Sequence, residues 1–323
     1  MGEITAFPSG LSSFGGVLTP GFPITGQSQV IWCDNVVGND GYDGSAPDSA
    51  VKTVARGYSL LRSGFYDTLI LVGRGTAYTL TVPLVWAKDY TNLFGFTAPI
   101  NVAHRARITS GTATISPMIT FSATGVSVQN VQLAQFGSDA TLSAIAVLVS
   151  GQRCFFKNVH FSGGNNATVR AGTAMRSLVV SGVGGNGENV FDHCFIGNDV
   201  QGTAGANYEL SFDTFTPRNA FRDCTFYKIT LVGGAGGGFI SFPSGSLDRW
   251  TLFERCNFVN DVGVAGFTTL TTAFSVVAAD GVILMRDPIV TGATGMTGGS
   301  KVNFLISSII AAATGGLATE TSS

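Results

Sequence analysis

Charged residues are scarce in this sequence. Asp, Glu, Lys and Arg together make up 12% of its 323 residues, and the formal net charge is −2. Lys and Arg form no basic block, so the surface typical of a nucleic-acid-binding protein is not predicted, and nucleic acid is not an expected partner. Because 45% of the residues are hydrophobic, a disordered chain is not predicted either. We expect a compact folded protein.

Long apolar runs are also missing. A membrane-spanning helix needs about 18 to 20 apolar residues, and the candidate run from Val302 to Ala313 is shorter. The N-terminus lacks the basic start and the apolar middle of a signal peptide. We therefore expect no membrane partner, and we expect the chain to be made and kept in a cytoplasm.

Cysteine is rare and odd in number. The five cysteines are Cys33, Cys154, Cys194, Cys224 and Cys256. In a chain this large and apolar they fit buried thiols better than a disulfide framework. No pair of Cys or His residues has the spacing of metal ligands, so neither a metal nor another cofactor is predicted.

Short apolar runs separated by glycines fill most of the chain after residue 66. The 43 glycines lie between these runs rather than in one tract, which is typical of turns between strands. The runs follow each other too closely for intervening helices, so doubly wound α/β folds are excluded. A β-sandwich, barrel, propeller or β-solenoid remains.

A repeated segment favours the β-solenoid. Six segments share the pattern apolar, x, x, small or Cys, x, apolar, and they begin at Val128, Phe156, Phe191, Phe221, Phe253 and Met285. Their first residues are 28, 35, 30, 32 and 32 positions apart. A fixed strand with variable insertions is what the stacked coils of a parallel β-helix tolerate. We therefore predict an all-β, single-stranded, right-handed parallel β-helix, with a β-sandwich as the alternative if the repeat is accidental.

The repeat also predicts which side chains lie next to each other in neighbouring coils. The fourth positions form an inward row of small or apolar groups, the inner row: Val131, Val159, Cys194, Cys224, Cys256 and Pro288. The second positions form an outward row that alternates in sign after its first member, the charge row: Gln129, Lys157, Asp192, Arg222, Glu254 and Arg286. Opposite charges on adjacent strands stabilise their pairing, so we interpret this row as a structural feature that helps fix the register.

Residues 1–29 are predicted to form an extended N-terminal arm. They are rich in Gly, Pro and Ser, with isolated apolar residues at Phe7, Leu11, Phe14, Leu18 and Phe22. Such a segment cannot build its own core, so these apolar residues are predicted to contact a partner.

The rest of the chain divides into three parts. Residues 30–65 are predicted to hold an entry strand and one short amphipathic helix within Pro47 to Ser63, with Asp48 or Ser49 as its N-cap, which would cap the open end of the β-stack. The β-helix is predicted over residues 66–310, and a C-terminal tail over 311–323.

Two parts of the sequence resemble known proteins. Trp32 to Leu61, with the turn Gly38-Asn39-Asp40-Gly41-x-Asp43-Gly44, resembles the N-terminal entry of pectin-lyase-like right-handed β-helix proteins, and Leu69 to Tyr78 is similar to their first coil. Phe7 to Gly15 resembles the start of tailed-bacteriophage virion proteins that place a β-helix behind a short arm. The resemblance implies a β-helix carried on a virus particle.

No catalytic site is predicted. Enzymes of the pectin-lyase-like class need clustered carboxylates on neighbouring coils, and the patterns of polygalacturonases are absent. The best alternative is Asp192 and His193 with Asp223 on the next coil, since a histidine beside carboxylates can carry a proton; we interpret these residues as part of the charged surface. The group from Asp34 to Asp43 could be taken for a calcium loop, but a turn with side-chain caps is the preferred interpretation.

Two functions remain open from the sequence. The first is a capsid decoration, or cement, protein that binds the major capsid protein of a tailed phage through its arm; the modest length and the missing carboxylate cluster favour it. The alternative is a tail fibre or tailspike subunit that binds, and in a minor alternative cleaves as a polysaccharide lyase or glycoside hydrolase, a host glycan. Either way we expect a non-enzymatic structural protein of the virion, assembled in the host cytoplasm, and the resemblance implies a homotrimer.

Overall fold

The chain folds into a parallel β-helix whose strands form three long sheets. The computed structural model describes residues 12–13, 16–17, 27–139, 141, 144–263, 266–277, 281–299 and 304–306. Each coil contributes one strand to each sheet, and each strand pairs in parallel with its equivalents in the coils before and after it. The predicted fold class is confirmed.

The strands of each sheet recur once per coil. Sheet A has ten strands: Val30–Cys33, Thr68–Val72, Asn92–Phe96, Ser127–Gln129, Phe155–Lys157, Val190–Asp192, Thr216–Arg222, Leu247–Glu254, Val282–Arg286 and Phe304–Ile306. Sheet B has eight: Tyr78–Thr79, Arg107–Thr109, Gln132–Ala134, His160–Ser162, Phe195–Gly197, Thr225–Ile229, Asn257–Asp261 and Ile289–Thr291. Sheet C has eight: Leu84–Trp86, Ile119–Phe121, Ile145–Val149, Arg176–Ser181, Tyr208–Asp213, Gly238–Phe242, Phe274–Val276 and Thr297–Gly299.

Stacked phenylalanines fill the interior of the β-helix. Phe156, Phe191, Phe221 and Phe253 begin four successive repeats, and each ring is fully buried. Their ring centroids are 4.9, 4.4 and 4.9 Å apart from one coil to the next, with nearly parallel planes. Offset stacking of aromatic rings adds to the free energy of apolar burial, so this column ties the coils together.

Five of the six members of the inner row lie in the same interior, whereas Pro288, in the last repeat, is only half-buried. Val131, Val159 and the three cysteines of the row are all at most 2% exposed. The thiols of Cys194, Cys224 and Cys256 each donate to a backbone carbonyl of the preceding coil, over 3.4 to 3.5 Å. Burial raises the pKa of Cys224 and Cys256 well above the usual thiol value. These cysteines are free thiols of the core.

One residue per repeat turns the chain from sheet A into sheet B. The third position of all six repeats is left-handed, with φ between 50° and 57°, in what we call the turn row: Asn130, Asn158, His193, Asp223, Arg255 and Asp287. The N–H of each of the first five donates to the carbonyl of the second-position residue in the next coil, over 2.7 to 3.1 Å. The turn is thereby repeated from coil to coil, and its side chains point away from the core.

The helices differ from the prediction. A 3₁₀ turn, Pro47–Ser49, and an α-helix, Val54–Leu60, replace the single helix expected within Pro47 to Ser63. The two are separated because Val51 forms a parallel bridge with Cys33, and the α-helix starts with Thr53, rather than Asp48 or Ser49, as its N-cap. It contacts the first strands of sheet A, at the end of the stack.

Further helical segments were not predicted. A short α-helix, Ala167–Ala171, lies in the connection from sheet B to sheet C, and 3₁₀ turns occur at Val183–Gly185 and Val232–Gly234. The α-helix sits over a buried ion pair between Arg170 and Glu209, whose nearest atoms are 3.0 Å apart. A β-helix tolerates such insertions at the corners of its coils, because they leave the stacked strands in place.

The predicted arm falls mostly outside the described residues. Phe7, Leu11, Phe14, Leu18 and Phe22 all lie there, as do residues 307–323 of the C-terminus. Within the arm the structure describes a two-stranded antiparallel pairing of Ser12–Ser13 with Gly16–Val17.

Candidate functional site

The charge row lies on the outer face of sheet A. Strand pairing places Gln129, Lys157, Asp192, Arg222, Glu254 and Arg286 opposite one another in that order. Lys157 contacts Asp192 at 3.6 Å, and Arg222 contacts Glu254 at 3.4 Å. The cations of the row are about half exposed, whereas the side chain of Glu254 is only 8% exposed. The carboxylates are therefore covered by the neighbouring cations.

The turn row adds a second line of charge beside the first. Arg255 donates two hydrogen bonds of 2.8 Å to the carboxylate of Asp223 and one of 2.9 Å to Glu254. The bonds from Arg255 lower the pKa of Asp223 below its ordinary value. Asp223 is therefore an anion at neutral pH. The side-chain amide of Asn158 donates to that of Asn130 over 2.9 Å, which continues this row in the earlier coils.

A third line of charge borders the other edge of sheet A. Arg153 and Arg218 both contact the carboxylate of Glu188, and we call these three residues the corner row. Like the turn row, all three have left-handed backbone, with φ of 55°, 48° and 60° for Arg153, Arg218 and Glu188. The bonds from the two arginines lower the pKa of Glu188.

An apolar column runs between these charges. Strand pairing aligns Phe155, Val190, Ala220, Leu252 and Leu284, and each precedes an inward-pointing residue of the stack. Because side chains alternate along a strand, this column faces outward. The outer face of sheet A is thus an apolar stripe with fixed charges along both edges, repeated at the coil spacing of about 4.8 Å.

Asp192, His193 and Asp223 form the most reactive group on this face. Nδ1 of His193 lies 2.9 Å from Oδ1 of Asp192, and one carboxylate oxygen of each aspartate and one ring nitrogen of His193 lie within 4.8 Å of one another. A carboxylate bonded to Nδ1 holds the imidazole so that Nε2 points to solvent, where it can take up or give a proton. The spacing would also allow a divalent cation, but Arg255 and Lys157 already bind the two carboxylates, so we derive no metal-dependent step.

The acidic group near residue 40 has a structural role. Oδ1 of Asp40 accepts bonds of 2.8 Å from the N–H groups of Lys52 and Thr53, and Oδ1 of Asp34 accepts one of 2.9 Å from Val36. Burial alone would raise the pKa of Asp34, but these bonds and its contact with Arg74 lower it. The carboxylates cap turns, and they do not converge as calcium ligands do.

Sequence reasoning missed two features of the site. The turn row was not recognised, although Asn at the third position of the first two repeats is the usual signal of left-handed backbone. The corner row was missed because Arg153, Glu188 and Arg218 lie just before the repeated segment and not within it. The predicted arm residues cannot be related to the site, since they lie outside the described part of the chain.

Comparison with known proteins identifies the fold. The chain matches no protein-family model, and no curated protein resembles it significantly in sequence. A solved structure of pectin methylesterase from Aspergillus niger superposes with a TM-score of 0.50 and 15% identity, covering 88% of this chain and 86% of that one. Pectin methylesterase PemA from Erwinia chrysanthemi (TM-score 0.40, 12% identity, 82% and 80% coverage) and a GH136 lacto-N-biosidase from Eubacterium ramulus (0.35, 10%, 86% and 68%) are also similar. The chain has the pectin-lyase-like right-handed β-helix fold.

One prediction from the sequence is corrected by this comparison. We expected a protein that is not an enzyme, yet the solved structure that superposes on this chain with a TM-score of 0.50 is an enzyme, a pectin methylesterase. Missing polygalacturonase-like motifs do not exclude an enzyme, because the outer face of sheet A carries carboxylates and a histidine that belong to none of those motifs. Separately, no helix among the described residues is long and apolar enough to cross a membrane.

Proposed function

We propose that this chain is a polysaccharide-binding β-helix and that the glycan lies along the outer face of sheet A. The observation that carries the proposal is the apolar column with rows of fixed charge on both sides. A sugar chain offers apolar C–H faces and many hydroxyl groups, which match an apolar stripe edged by charged donors and acceptors. Positive and negative charges nearly balance on this face, which does not suit nucleic acid.

Affinity electrophoresis tests the binding proposal. The purified chain is run through gels containing dextran, polygalacturonate or bacterial O-antigen polysaccharide. We expect at least one of them to retard the chain, and Arg222→Ala combined with Lys157→Ala to reduce the retardation about tenfold, since charge-assisted hydrogen bonds contribute roughly 1.5 to 3 kcal/mol. Lys52→Ala, an exposed cation near the capping helix, is the matched control. Unretarded migration in all three gels would refute the proposal.

Chemical action on the bound glycan is a second candidate function. It is favoured by the 2.9 Å contact between Asp192 and His193, which orients the imidazole beside the ionised Asp223. We propose that His193 protonates the leaving oxygen of a glycosidic bond as that bond breaks and water adds to the anomeric carbon, while the Asp223 anion stabilises the positive charge that develops on the sugar ring. Release of reducing ends from the retained polysaccharide should fall at least a hundredfold in His193→Gln, with binding unchanged. Equal release by both proteins would exclude this role.

We further propose that residues 1–29 attach the chain to a virus particle. The resemblance of Phe7 to Gly15 to phage virion proteins and the spaced apolar residues of the arm support this, with the major capsid protein as partner and a homotrimer as the assembled form. The full chain and a version lacking residues 1–29 are sedimented with empty capsids and with tails. Capsid binding that requires the arm would indicate a decoration protein, tail binding a tail fibre or tailspike, and binding to neither would rule out attachment.

A further inference from the structure

An exposed aromatic residue is held in an unfavourable backbone conformation at the corner between sheets C and A. Thr214 and Phe215 have φ of 50° and 45°, and Phe215 is 53% exposed. Left-handed backbone is unfavourable for every non-glycine residue, because the Cβ atom approaches the following carbonyl oxygen. Among the described residues, this is the one place where two adjacent non-glycine residues adopt it. Burial of the Phe215 ring does not offset that cost, because half of the ring is in water.

Glycines in both neighbouring coils make this conformation possible. A Cβ on Gly182, in the preceding coil, would lie 2.4 Å from the carbonyl oxygen of Phe215. In the following coil, the carbonyl of Gly245 accepts the N–H of Phe215 over 2.7 Å, and a Cβ there would lie 3.8 Å from the ring. The corner therefore fixes the position of Phe215 through its backbone and leaves space beside the ring.

A β-bulge presents a second aromatic residue on the same strand pair. The pairing of Thr216–Arg222 with Leu247–Glu254 shifts its register between Pro217 and Asn219, so that Arg218 faces two residues, Arg249 and Trp250. Arg249 is also left-handed, with φ of 70°, and Trp250 is 37% exposed. Bulges redirect side chains and are common beside binding sites.

The corner row lies next to this aromatic pair. Arg218 belongs to both features, and Glu188 accepts from Arg153 over 2.7 Å as well as from Arg218. Two guanidinium groups thus share one carboxylate, so N–H donors remain for another acceptor. Rigid aromatic rings beside oriented donors and an acceptor match the apolar face and the hydroxyl edge of a sugar ring.

We propose that Phe215 and Trp250 form an aromatic subsite for one or two sugar rings of the polysaccharide, with Arg218 and Glu188 binding their hydroxyl groups. The inference rests on the proposed function and places one end of the glycan where the chain passes from sheet C into the sheet A strands Thr216–Arg222 and Leu247–Glu254. The strained backbone at Thr214 and Phe215 then fixes the ring in its binding position before the ligand arrives. This preorganisation reduces the conformational entropy lost on binding.

A substitution that relieves the strain gives the sharpest test. Phe215→Asn removes the ring and suits left-handed backbone, so its thermal midpoint should equal or exceed that of the unmodified chain. In the dextran, polygalacturonate and O-antigen gels we expect about a tenfold weaker retardation for Phe215→Asn and for Trp250→Ala, a loss typical of a central aromatic contact. Val200→Asn removes an apolar side chain that is 75% exposed elsewhere on the surface, and it should bind like the unmodified chain.

The outcomes separate this inference from the proposed function. If the unmodified chain is retarded and Phe215→Asn is retarded equally, the subsite is refuted while polysaccharide binding stands. If no gel retards the unmodified chain, polysaccharide binding fails and the subsite with it. If Phe215→Asn changes only the sedimentation of the chain as an oligomer, the corner is a protein contact and the subsite is again refuted.

Discussion

Glu254 is the residue on which the charges of sheet A converge. It contacts Arg222, Arg255 and Arg286, and its side chain is 8% exposed, so water screens these contacts poorly. The arginines are each about half exposed, which lowers the cost of having three of them near one carboxylate. Removing the charge of Glu254 would leave these cations facing one another without a counter-ion.

Glu254→Gln should therefore destabilise the chain by about 1 to 3 kcal/mol, the range for hydrogen bonds to charged groups. The comparison is Asp192→Asn, because the carboxylate of Asp192 contacts one basic side chain, Lys157, and the imidazole of His193, and is more exposed than that of Glu254. Urea denaturation at low and high salt measures both variants. Equal losses of unfolding free energy in the two variants would show that the three arginines around Glu254 do not add to the stability of the chain.

At the scale of the strand, the aromatic column predicts how the coils depend on one another. The ring of Phe191 is fully buried between those of Phe156 and Phe221, at 4.9 and 4.4 Å. Phe191→Ala should destabilise the chain by about 3 to 5 kcal/mol, because a cavity opens inside a rigid stack. Phe96→Ala, at a ring that is 56% exposed on sheet A, is the control. Chemical denaturation followed by circular dichroism compares them; a loss below 1 kcal/mol for Phe191→Ala would contradict the stacked core.

The register of sheet A gives a second prediction at this scale. Arg222 lies between Asp192 and Glu254 in the pairing, so Arg222→Glu places three acidic residues in adjacent strands. We expect Arg222→Glu to be less stable than Arg222→Ala by about 0.5 to 1 kcal/mol, and this difference to shrink in high salt. Arg222→Ala removes the ion pair without adding a negative charge, so the difference between the two variants measures the repulsion among the acidic side chains. A difference that salt leaves unchanged would indicate a cause other than charge.

The elements show what the sequence could and could not predict. Strands that start with Phe and recur about every thirty residues define a solenoid, because only stacking buries that face in every coil. The split of the capping helix at Val51 could not be foreseen, since it depends on a bridge to Cys33 in a neighbouring strand. The corner aromatic Phe215 was equally hidden, because its strained backbone depends on Gly182 and Gly245 in other coils.

At the scale of the whole molecule, two buried histidines predict how stability varies with pH. His160 is 1% exposed, its Nδ1 accepts the N–H of Ala103 over 3.1 Å, and its Nε2 lies 3.1 Å from the carbonyl of Gly197. An acceptor on one nitrogen and a donor on the other require the neutral ring. Burial, with smaller contributions from the nearby His104 and Arg107, lowers the pKa of His160 to about 3. Burial likewise lowers the pKa of His104 to about 4.

The direction of the effect follows from these pKa values. The unfolded histidines take up protons near pH 6.5 while the folded ones stay neutral, so the free energy of unfolding should fall as pH decreases from 6.5 towards 3 to 4. Below about pH 4 the free energy of unfolding should fall for a second reason. The pKa values of carboxylates such as Asp223 and Glu188 are lowered in the folded chain, so acid protonates these groups in the unfolded chain before it protonates them in the folded one. Acid should thus weaken the β-helix in two stages.

Substitution of His160 separates the first stage from the second. Glutamine can accept from Ala103 and donate to Gly197 without titrating, so His160→Gln should make the decline between pH 6.5 and 4 shallower, with the part due to His104 and the loss below pH 4 still in place. His193→Gln is the matched control, because it makes the same substitution at a side chain that is 60% exposed. Thermal midpoints from pH 8 to 3 give the comparison. An unmodified chain with a constant midpoint from pH 7 to 5 would show that burial does not keep His160 and His104 neutral in the folded chain.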